Sequence, residues 1–216
     1  MHYLITGHTG FKGAWMTFML SKLGHQVSGI SLDPIPDSLF ADTSVSKLLE
    51  HDIRSDIRNK EGVIRAFELI NPDIVIHMAA QPLVLEGYRN PIDTFEINVN
   101  GTLNVLEASR RVTSVKAQVI VTTDKVYKNK NQRKGYVETD ELGGDDPYSA
   151  SKAMADILTQ SWIKSFEGPA TAIARAGNVI GGGDVSKDRL IPDLVKSFSN
   201  GKSAVLRNPN AVRTWQ

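Results

Sequence analysis

The chain has 216 residues, enough for one large domain or for one domain and part of a second. Lys and Arg number 25 against 24 Asp and Glu, so the net charge of +1 argues against a nucleic-acid partner held by a broad basic face. The absence of cysteine excludes disulfides and thiolate metal sites, and the five histidines lack paired ligand spacing, so we expect no metal ion.

The distribution of apolar residues predicts a cytoplasmic protein without a membrane partner. The first predicted strand begins almost at the N-terminus, which leaves no room for a signal peptide. No apolar stretch approaches the ~20 residues that a bilayer-spanning helix needs.

Short β-branched runs alternate with amphipathic stretches along the chain. The predicted strands are 2–6, 26–32, 48–50, 74–77, 118–122 and 171–176. The predicted helices are 12–23, 59–70, 91–112, 147–166 and 190–200. Strict alternation predicts an α/β fold with a Rossmann-type, doubly wound parallel sheet. Because the composition changes after Gly177, we predict an NAD-binding domain at 1–176 and part of a small substrate-binding domain at 177–216.

Residues 7–13, with the sequence GHTGFKG, lie between the first predicted strand and the first predicted helix. This glycine spacing lets backbone N–H groups at a helix N-terminus approach a pyrophosphate without an intervening side chain. We predict a dinucleotide-binding loop, with a plain tight turn as the alternative. The predicted cofactor contacts in this loop are Gly7, Thr9, Gly10, Phe11, Lys12 and Gly13.

Two positions are predicted at the adenosine end of the cofactor. An acid at the end of the second strand binds the ribose diol in NAD enzymes, and Asp33 lies two residues beyond Ser31, which occupies the usual register. Asp33 is either that acid or an ordinary loop acid. The lack of an adjacent arginine disfavours a 2′-phosphate, although this position alone leaves NAD and NADP open. Asp52 and Ile53, just past the predicted third strand, are placed to meet the adenine.

Tyr148 and Lys152 are the first catalytic candidates. Residues four apart on a helix share a face, so the Lys152 ammonium would lie near the Tyr148 hydroxyl. A free tyrosine has a pKa near ~10 and is a poor base at neutral pH. The lysine and a positive nicotinamide ring would both lower that pKa, which makes Tyr148 a candidate base. This spacing also occurs by chance, and the glycine loop upstream favours the functional interpretation.

The end of the fifth predicted strand carries Thr122, Thr123, Asp124 and Lys125. The carboxyl edge of a parallel sheet is where such folds place reactive groups. A threonine hydroxyl would hydrogen-bond a sugar 4-oxygen, and the adjacent Asp124 and Lys125 would supply a proton donor and a proton acceptor. The alternative is a polar strand end with both charges solvated.

Five segments of the chain resemble the nucleotide-sugar dehydratases of the extended short-chain dehydrogenase/reductase group, in particular the CDP-glucose 4,6-dehydratases. They are residues 7–13, 77–82 (HMAAQP), 123–125 (TDK), 148–152 (YSASK) and 175–184 (RAGNVIGGGD). The Asp-Lys pair distinguishes the CDP-glucose dehydratases from two related groups. The dTDP-glucose dehydratases have Asp-Glu at these positions, and sugar epimerases generally lack the acid-base pair. The resemblance runs from residue 1 to residue 216.

The resemblance implies an intramolecular redox elimination with NAD as the cofactor and CDP-glucose as the substrate. Tyr148 would take the proton of the glucose 4-hydroxyl while hydride leaves C4 for NAD⁺. Lys125 would then remove the acidified C5 proton, Asp124 would protonate the departing C6 hydroxyl, and hydride would return to C6. The product would be CDP-4-keto-6-deoxyglucose, a deoxysugar precursor for lipopolysaccharide O-antigen. Burial is expected to keep Asp124 protonated and Lys125 neutral.

Further contacts follow from the same resemblance. The implied cofactor contacts are Ala79, Ala80, Gln81, Asn98, Thr122, Tyr148 and Lys152. The implied substrate contacts are Asn178, Arg189 and Arg213, and for Arg189 a surface ion pair with Asp188 is the alternative. Helices 91–112 and 147–166 would pair with their copies in a four-helix bundle and form a homodimer, although either apolar stripe could pack on the sheet instead.

The sequence leaves three alternatives open. Two are enzymes, a dehydratase for dTDP- or GDP-sugars and a 4-epimerase. The third belongs to another class, because the resembling chains continue beyond residue 216 and part of the substrate domain is expected to be missing. On that interpretation the chain would be a truncated module that binds NAD without turnover.

Overall fold

The computed structural model describes residues 1–132, 134–206 and 209–216. Within these residues, six parallel strands form one sheet in the order β3-β2-β1-β4-β5-β6. The strands are β1 (His2–Thr6), β2 (Gln26–Ser31), β3 (Asp52–Arg54), β4 (Ile74–His77), β5 (Ala117–Thr123) and β6 (Ala170–Ala176). The helices are α1 (Phe11–Lys22), α2 (Leu39–Asp42), α3 (Lys60–Ile70), α4 (Val84–Arg89), α5 (Pro91–Phe95), α6 (Gly101–Arg111), α7 (Pro147–Ser165) and α8 (Leu190–Ser199). This order confirms the predicted Rossmann-type doubly wound fold.

The sheet is buried on both faces, so apolar residues on its inner strands do not alternate strictly with polar ones. On β1, Leu4 and Ile5 point to opposite faces and are both fully buried. Leu4 belongs to the larger core cluster, where Phe67 of α3 and Val105 of α6 cover the sheet. Ile5 packs on the other face with Leu20 of α1.

The third strand was predicted at the wrong place. The segment Ser44–Leu48 forms a 3₁₀-helix, and β3 begins at Asp52, four residues after the predicted start at residue 48. This strand lies at the edge of the sheet and pairs only with β2, through contacts such as Ile53 with Ile30. An edge strand needs few apolar residues, so the apolar pattern favoured the preceding leucines instead.

The predicted helix over 91–112 contains a break in its regular geometry. A π-helical turn, Glu96–Asn100, lies between α5 and α6. The short helix α4 and a 3₁₀-turn at Asp124–Val126 were not predicted. The π-helical turn places Asn98 in the protein interior, where its side chain contacts two other segments.

Helix α7 begins as the sequence predicts. The Asp146 carboxylate accepts the Ser149 N–H at 3.0 Å, and Pro147 occupies the first helical position. In the described part of the chain, no helix combines the length and apolar character needed to cross a membrane. The carboxyl ends of the parallel strands meet at one edge of the sheet, where α7 presents Tyr148.

Candidate active site

An open cavity of about 1080 Å³ runs along the carboxyl edge of the sheet. Most of the predicted site residues line it, although they come from segments far apart in the sequence. They are Gly7, Thr9, Gly10, Phe11, Lys12, Gly13, Asp33, Ala79, Ala80, Thr122, Thr123, Asp124, Lys125, Tyr148, Lys152, Asn178, Arg189 and Arg213. Four predicted residues lie outside the described lining: Asp52, Ile53, Gln81 and Asn98.

The glycine loop leaves no space for side chains where it turns into α1. Gly7 has a φ of +79°, and a Cβ there would lie 2.8 Å from the backbone nitrogen of Ala79. A Cβ on Gly13 would lie 2.2 Å from the Gly7 carbonyl oxygen. The N-cap residue Gly10 offers no side-chain hydrogen bond, and the described first turn of α1 carries no acid. This uncapped, acid-free helix start fits an anionic pyrophosphate.

At the adenosine end, Asp33 lies on the cavity wall with its side chain 90% exposed. Its carboxylate is 3.5 Å from Nε of Arg54, which belongs to the neighbouring strand β3. The sequence search for an adjacent arginine missed Arg54 because parallel strands bring distant residues side by side. The Arg54 guanidinium also donates to Asp52 at 2.9 Å, so both nearby carboxylates share its charge.

The predicted adenine contacts from Asp52 and Ile53 do not fit this geometry. The carboxylate of Asp52 is 2.7 Å from Nε2 of the buried His8, and Ile53 packs against the larger core cluster. The prediction failed because it depended on the misplaced third strand. The same Asp-Ile dipeptide recurs just past the observed β3, where Asp56 and Ile57 line the cavity.

Gln81 and Asn98 form a support behind the cavity. Oδ1 of the Asn98 side chain accepts the Gln81 backbone N–H at 2.8 Å. Nδ2 of the same side chain donates to the Ser151 hydroxyl of α7, also at 2.8 Å. The Gln81 side chain donates to Thr94 at 2.8 Å, so it faces the helix and not the cavity. Neither residue is in the described lining of the cavity, so the direct cofactor contacts implied for Gln81 and Asn98 are not supported.

Of the two catalytic candidates on α7, Lys152 is buried and Tyr148 is partly buried. The ammonium of Lys152 donates to the Val121 carbonyl at 2.8 Å, and burial lowers the pKa of Lys152 to about 8. Burial raises the pKa of Tyr148, and a hydrogen bond with Thr123 acts in the opposite direction. In the protein alone, desolvation of the phenolate outweighs this hydrogen bond, and the lowering of the Tyr148 pKa by Lys152 and the nicotinamide ring stays a prediction.

The candidate acid and second base follow β5 in the 3₁₀-turn. The Thr123 hydroxyl contacts the Asp124 carboxylate at 3.1 Å and accepts the Lys125 N–H at 3.4 Å. Burial lowers the pKa of Lys125, and the positive charge of Arg213 lowers it further. The direction predicted for Lys125 thus agrees with the structure. The Lys125 ammonium lies 5.9 Å from the centre of the Tyr148 ring, so the two candidate bases face the same space.

A hydroxyl from the end of the chain reaches the candidate acid. Oγ1 of Thr214 donates to Asp124 at 2.8 Å, although 90 residues separate them in the sequence. The Asn178 side chain donates to the Thr214 carbonyl at 3.0 Å, and the Gln216 N–H donates to the Asn178 carbonyl at 2.8 Å. This pairing brings Arg213 to the cavity. Sequence analysis missed Thr214 because no local pattern signals such a contact.

A buried ion pair lies next to the candidate site, between α7 and β6. Asp156 of α7 is fully buried and binds the Arg175 guanidinium through two contacts of 2.8 and 2.9 Å. Arg175 also donates to the Tyr127 hydroxyl at 3.0 Å, just beyond the turn that carries the candidate acid. The pair therefore connects the tyrosine helix to the acid-base turn. Neither residue was singled out from the sequence.

Comparison with known proteins first defines the class of protein. A model of the NAD dependent epimerase/dehydratase family matches residues 3–216, and the chain belongs to that family. The family description confirms NAD as the expected cofactor.

Within that family, individual relatives of this chain act on nucleotide-sugars. A CDP-glucose 4,6-dehydratase of Salmonella typhimurium is 45% identical over 98% of this chain and 61% of its own length, which confirms the predicted resemblance. A CDP-paratose 2-epimerase of Salmonella typhi is 32% identical over 84% of this chain and 58% of its own length. Among solved structures, DesIV is a dTDP-glucose 4,6-dehydratase of Streptomyces venezuelae with NAD and TYD bound. Its superposition on this chain has a TM-score of 0.84 and covers 100% of this chain and 67% of DesIV, with 26% sequence identity. The chain spans about 60% of the length of these two curated relatives.

Proposed function

We propose that this chain provides the cofactor-binding and catalytic part of an NAD-dependent nucleotide-sugar 4,6-dehydratase that acts on CDP-glucose. The observation that carries the proposal is that the glycine loop, Tyr148 and the Asp124–Lys125 pair converge on one cavity. An epimerase needs one base and hydride transfer at C4, whereas loss of water also needs an acid and a second base. The relative at 45% identity supports CDP as the nucleotide.

The cofactor would lie along the glycine loop. Backbone N–H groups at the start of α1 would hold its pyrophosphate, since a Cβ at Gly7 or Gly13 would collide with backbone atoms. Asp33 would bind the adenosine ribose, and Asp56 with Ile57 would meet the adenine in place of Asp52 and Ile53. Bound NAD would supply the hydride acceptor for C4 and the hydride donor for C6.

Tyr148 would begin the reaction by taking the proton of the sugar 4-hydroxyl. Thr123 hydrogen-bonds Tyr148, and this contact favours the phenolate that accepts the proton. The Lys152 ammonium is fixed by the Val121 carbonyl and adds positive charge on the same face of α7. Loss of hydride from C4 then yields a 4-ketone, which makes the C5 proton acidic.

Lys125 and Asp124 would carry out the elimination. A neutral Lys125 amine removes the C5 proton, and Asp124 gives a proton to the C6 hydroxyl, which leaves as water. Lys125 returns a proton to C5 when hydride reaches C6, so the sugar loses one water overall. The lowered pKa of Lys125 supports its part as a base. Asn178, Arg189 and Arg213 line the cavity and would bind the nucleotide-sugar.

A second candidate is a module that binds NAD without turnover. It is favoured by one observation, that the chain spans 61% of the length of the CDP-glucose 4,6-dehydratase relative. The two candidates share the cofactor site and differ in turnover. We therefore separate binding from catalysis in the test.

The test is incubation with CDP-glucose without added reductant, followed by proton NMR, with UDP- and dTDP-glucose as parallel substrates. We expect the 4-keto-6-deoxy product from CDP-glucose alone. Equal product from dTDP-glucose would contradict the nucleotide assignment, and a C4 epimer would contradict dehydration. NAD binding without product from any of the three would favour the second candidate.

The variant Lys125→Met tests the assigned base. We expect turnover to fall about 1000-fold, as loss of a general base does, while NAD affinity is unchanged. In the parent chain the rate should rise with pH up to the lowered pKa of Lys125, because only the neutral amine accepts a proton. Lys128→Met is the matched control, since Lys128 is exposed and pairs with Glu141. Equal activities of the two variants would rule out Lys125 as the base.

We also propose a homodimer through α5, α6 and α7. Met154 and Ile157 of α7 and Ile92 of α5 expose between 47% and 73% of their surface, which supports an apolar contact between copies. Light scattering should give twice the chain mass, and Ile157→Glu should give a monomer. A monomeric parent chain would contradict this part of the proposal.

A further inference from the structure

Trp15 makes a long-range hydrogen bond that the proposed reaction does not use. Its indole Nε1 donates to the Gly182 carbonyl at 2.9 Å, across 167 residues of sequence. Trp15 lies on α1 just after the glycine loop and is 38% exposed. It is not among the described residues that line the cavity.

The partner segment, residues 181–184, is called the glycine strap here. Two of its three glycines are required by close packing, and a Cβ on the first, Gly181, would lie 2.7 Å from the Phe11 ring. Gly183 has a φ of +80°, and a Cβ there would lie 2.7 Å from Cβ of Leu39. The strap therefore lies directly on the first turn of α1 and on α2.

The far end of the strap is held by charge. The carboxylate of Asp184 accepts the Ser186 N–H at 3.0 Å and lies 3.6 Å from the Arg189 guanidinium. Asp184 and Arg189 line the cavity together with Lys12, which belongs to the uncapped turn of α1. The strap thus closes one side of the cavity at the proposed pyrophosphate position, and both of its ends are tied down.

We infer that the Trp15–Gly182 hydrogen bond is a latch that sets the rate of NAD exchange. The inference rests on the proposed function, in which NAD binds at the glycine loop and is regenerated in every turnover. The strap borders the cavity beside the proposed pyrophosphate position, so in this proposal it moves aside both when NAD enters and when NAD leaves. Weakening the latch therefore raises the association and dissociation rates together and leaves the affinity unchanged.

The test is Trp15→Phe, which keeps an aromatic ring but removes the N–H donor. NADH binding is followed by its fluorescence in stopped flow, and release is followed by displacement with excess NAD. Loss of one neutral hydrogen bond should accelerate both rates by about 3- to 10-fold, with the Kd within about twofold of the parent value. Trp162→Phe is the matched control, because Trp162 packs on Phe166 away from this cavity and should leave both rates unchanged.

A second variant, Gly181→Ala, disturbs the strap without changing α1. Its new methyl group would press on Phe11 and should accelerate both rates in the same way. Unchanged rates in Trp15→Phe would overturn the latch and leave cofactor binding intact. Faster release alone, with a weaker Kd, would identify a direct cofactor contact and would also overturn it. Failure of the parent chain to bind NADH would overturn the proposed function and this inference together.

Discussion

The two walls of the cavity are built in different ways. The cofactor wall, formed by residues 7–13 and the segment after β4, consists of backbone in such close contact that Gly7 and Gly13 have no room for a methyl group. The substrate wall, formed by residues 177–192 and 209–216, is held by side-chain contacts such as that from Thr214 to Asp124. We expect changes in the first wall to alter stability and binding together. Changes in the second should alter turnover or ligand exchange with little effect on stability.

The largest effect is expected for Gly13→Ala in the cofactor wall. The added Cβ would lie 2.2 Å from the Gly7 carbonyl oxygen, and backbone cannot move aside as a side chain can. The free energy of unfolding should fall by about 3 kcal/mol, and NAD affinity by about 100-fold. Urea denaturation and NAD titration measure the two effects. Gly135→Ala, where a Cβ meets nothing within 4 Å, is the control. An unchanged denaturation midpoint in Gly13→Ala would contradict the rigid-wall description.

Asp156→Ala removes the ion pair that supports both the tyrosine helix and the acid-base turn. It leaves the Arg175 charge without its carboxylate in a largely buried position and should cost about 3 kcal/mol. Lys116→Ala breaks a surface pair with Asp73 of similar length, 2.7 Å, and should have little effect because solvent screens it. Similar melting temperatures for the two variants would show that the buried ion pair contributes no more to stability than the surface pair.

His77, behind the cofactor wall, predicts a dependence of stability on pH. Burial between Thr6 and Thr102 lowers its pKa to about 3 from 6.5. The unfolded chain therefore takes up a proton below pH 6.5 that the folded chain refuses until about pH 3, so stability falls as pH falls through this window. His77→Gln should flatten the curve by about 2 kcal/mol between about pH 7 and pH 5, the upper part of this window. Parallel curves for the two proteins in denaturant titrations would contradict this assignment.

The smallest effect is expected for Thr214→Val in the substrate wall. The variant loses the hydrogen bond to Asp124 and should lower turnover about 3- to 10-fold, the value of one hydrogen bond. The free energy of unfolding should stay within about 0.5 kcal/mol, because the residue is exposed. Thr214→Ser should restore turnover, since it restores the hydroxyl. A large loss of stability in Thr214→Val would erase the contrast between the two walls.

Local patterns in the sequence were sufficient to predict the glycine loop and the start of α7. The strand–glycine–helix order and the Asp146-Pro147 helix start are signals carried by neighbouring residues, and both are present in the structure. The error at β3 has a physical cause. This edge strand gains its stability from pairing with Gly29–Ser31 of β2, and its own Asp-Ile-Arg sequence carries little apolar signal. The prediction of an adenine contact at Asp52 and Ile53 depended on the same misplaced strand.

Contacts across the fold could not be predicted in this way. The bonds from Trp15 to Gly182 and from Thr214 to Asp124 join residues 167 and 90 positions apart, and they depend on how the last segment crosses the sheet edge. The raising of the Tyr148 pKa by burial could not be predicted either, because it depends on the packing of the finished fold. The periodicity of apolar residues predicts individual strands and helices, whereas these long-range contacts and this pKa shift arise only when the strands and helices pack together.

The π-helical turn at Glu96–Asn100 limits how the gene can change length. Asn98 reaches Gln81 and Ser151, and one regular turn later Thr102 reaches His77. Deletion of a single codon here would restore regular helix but rotate α6 by about 100° against α5. Asn98 and Thr102 could not then both keep their present hydrogen-bond partners. We therefore expect insertions and deletions among related genes to accumulate in the surface loops and to be absent from this helix.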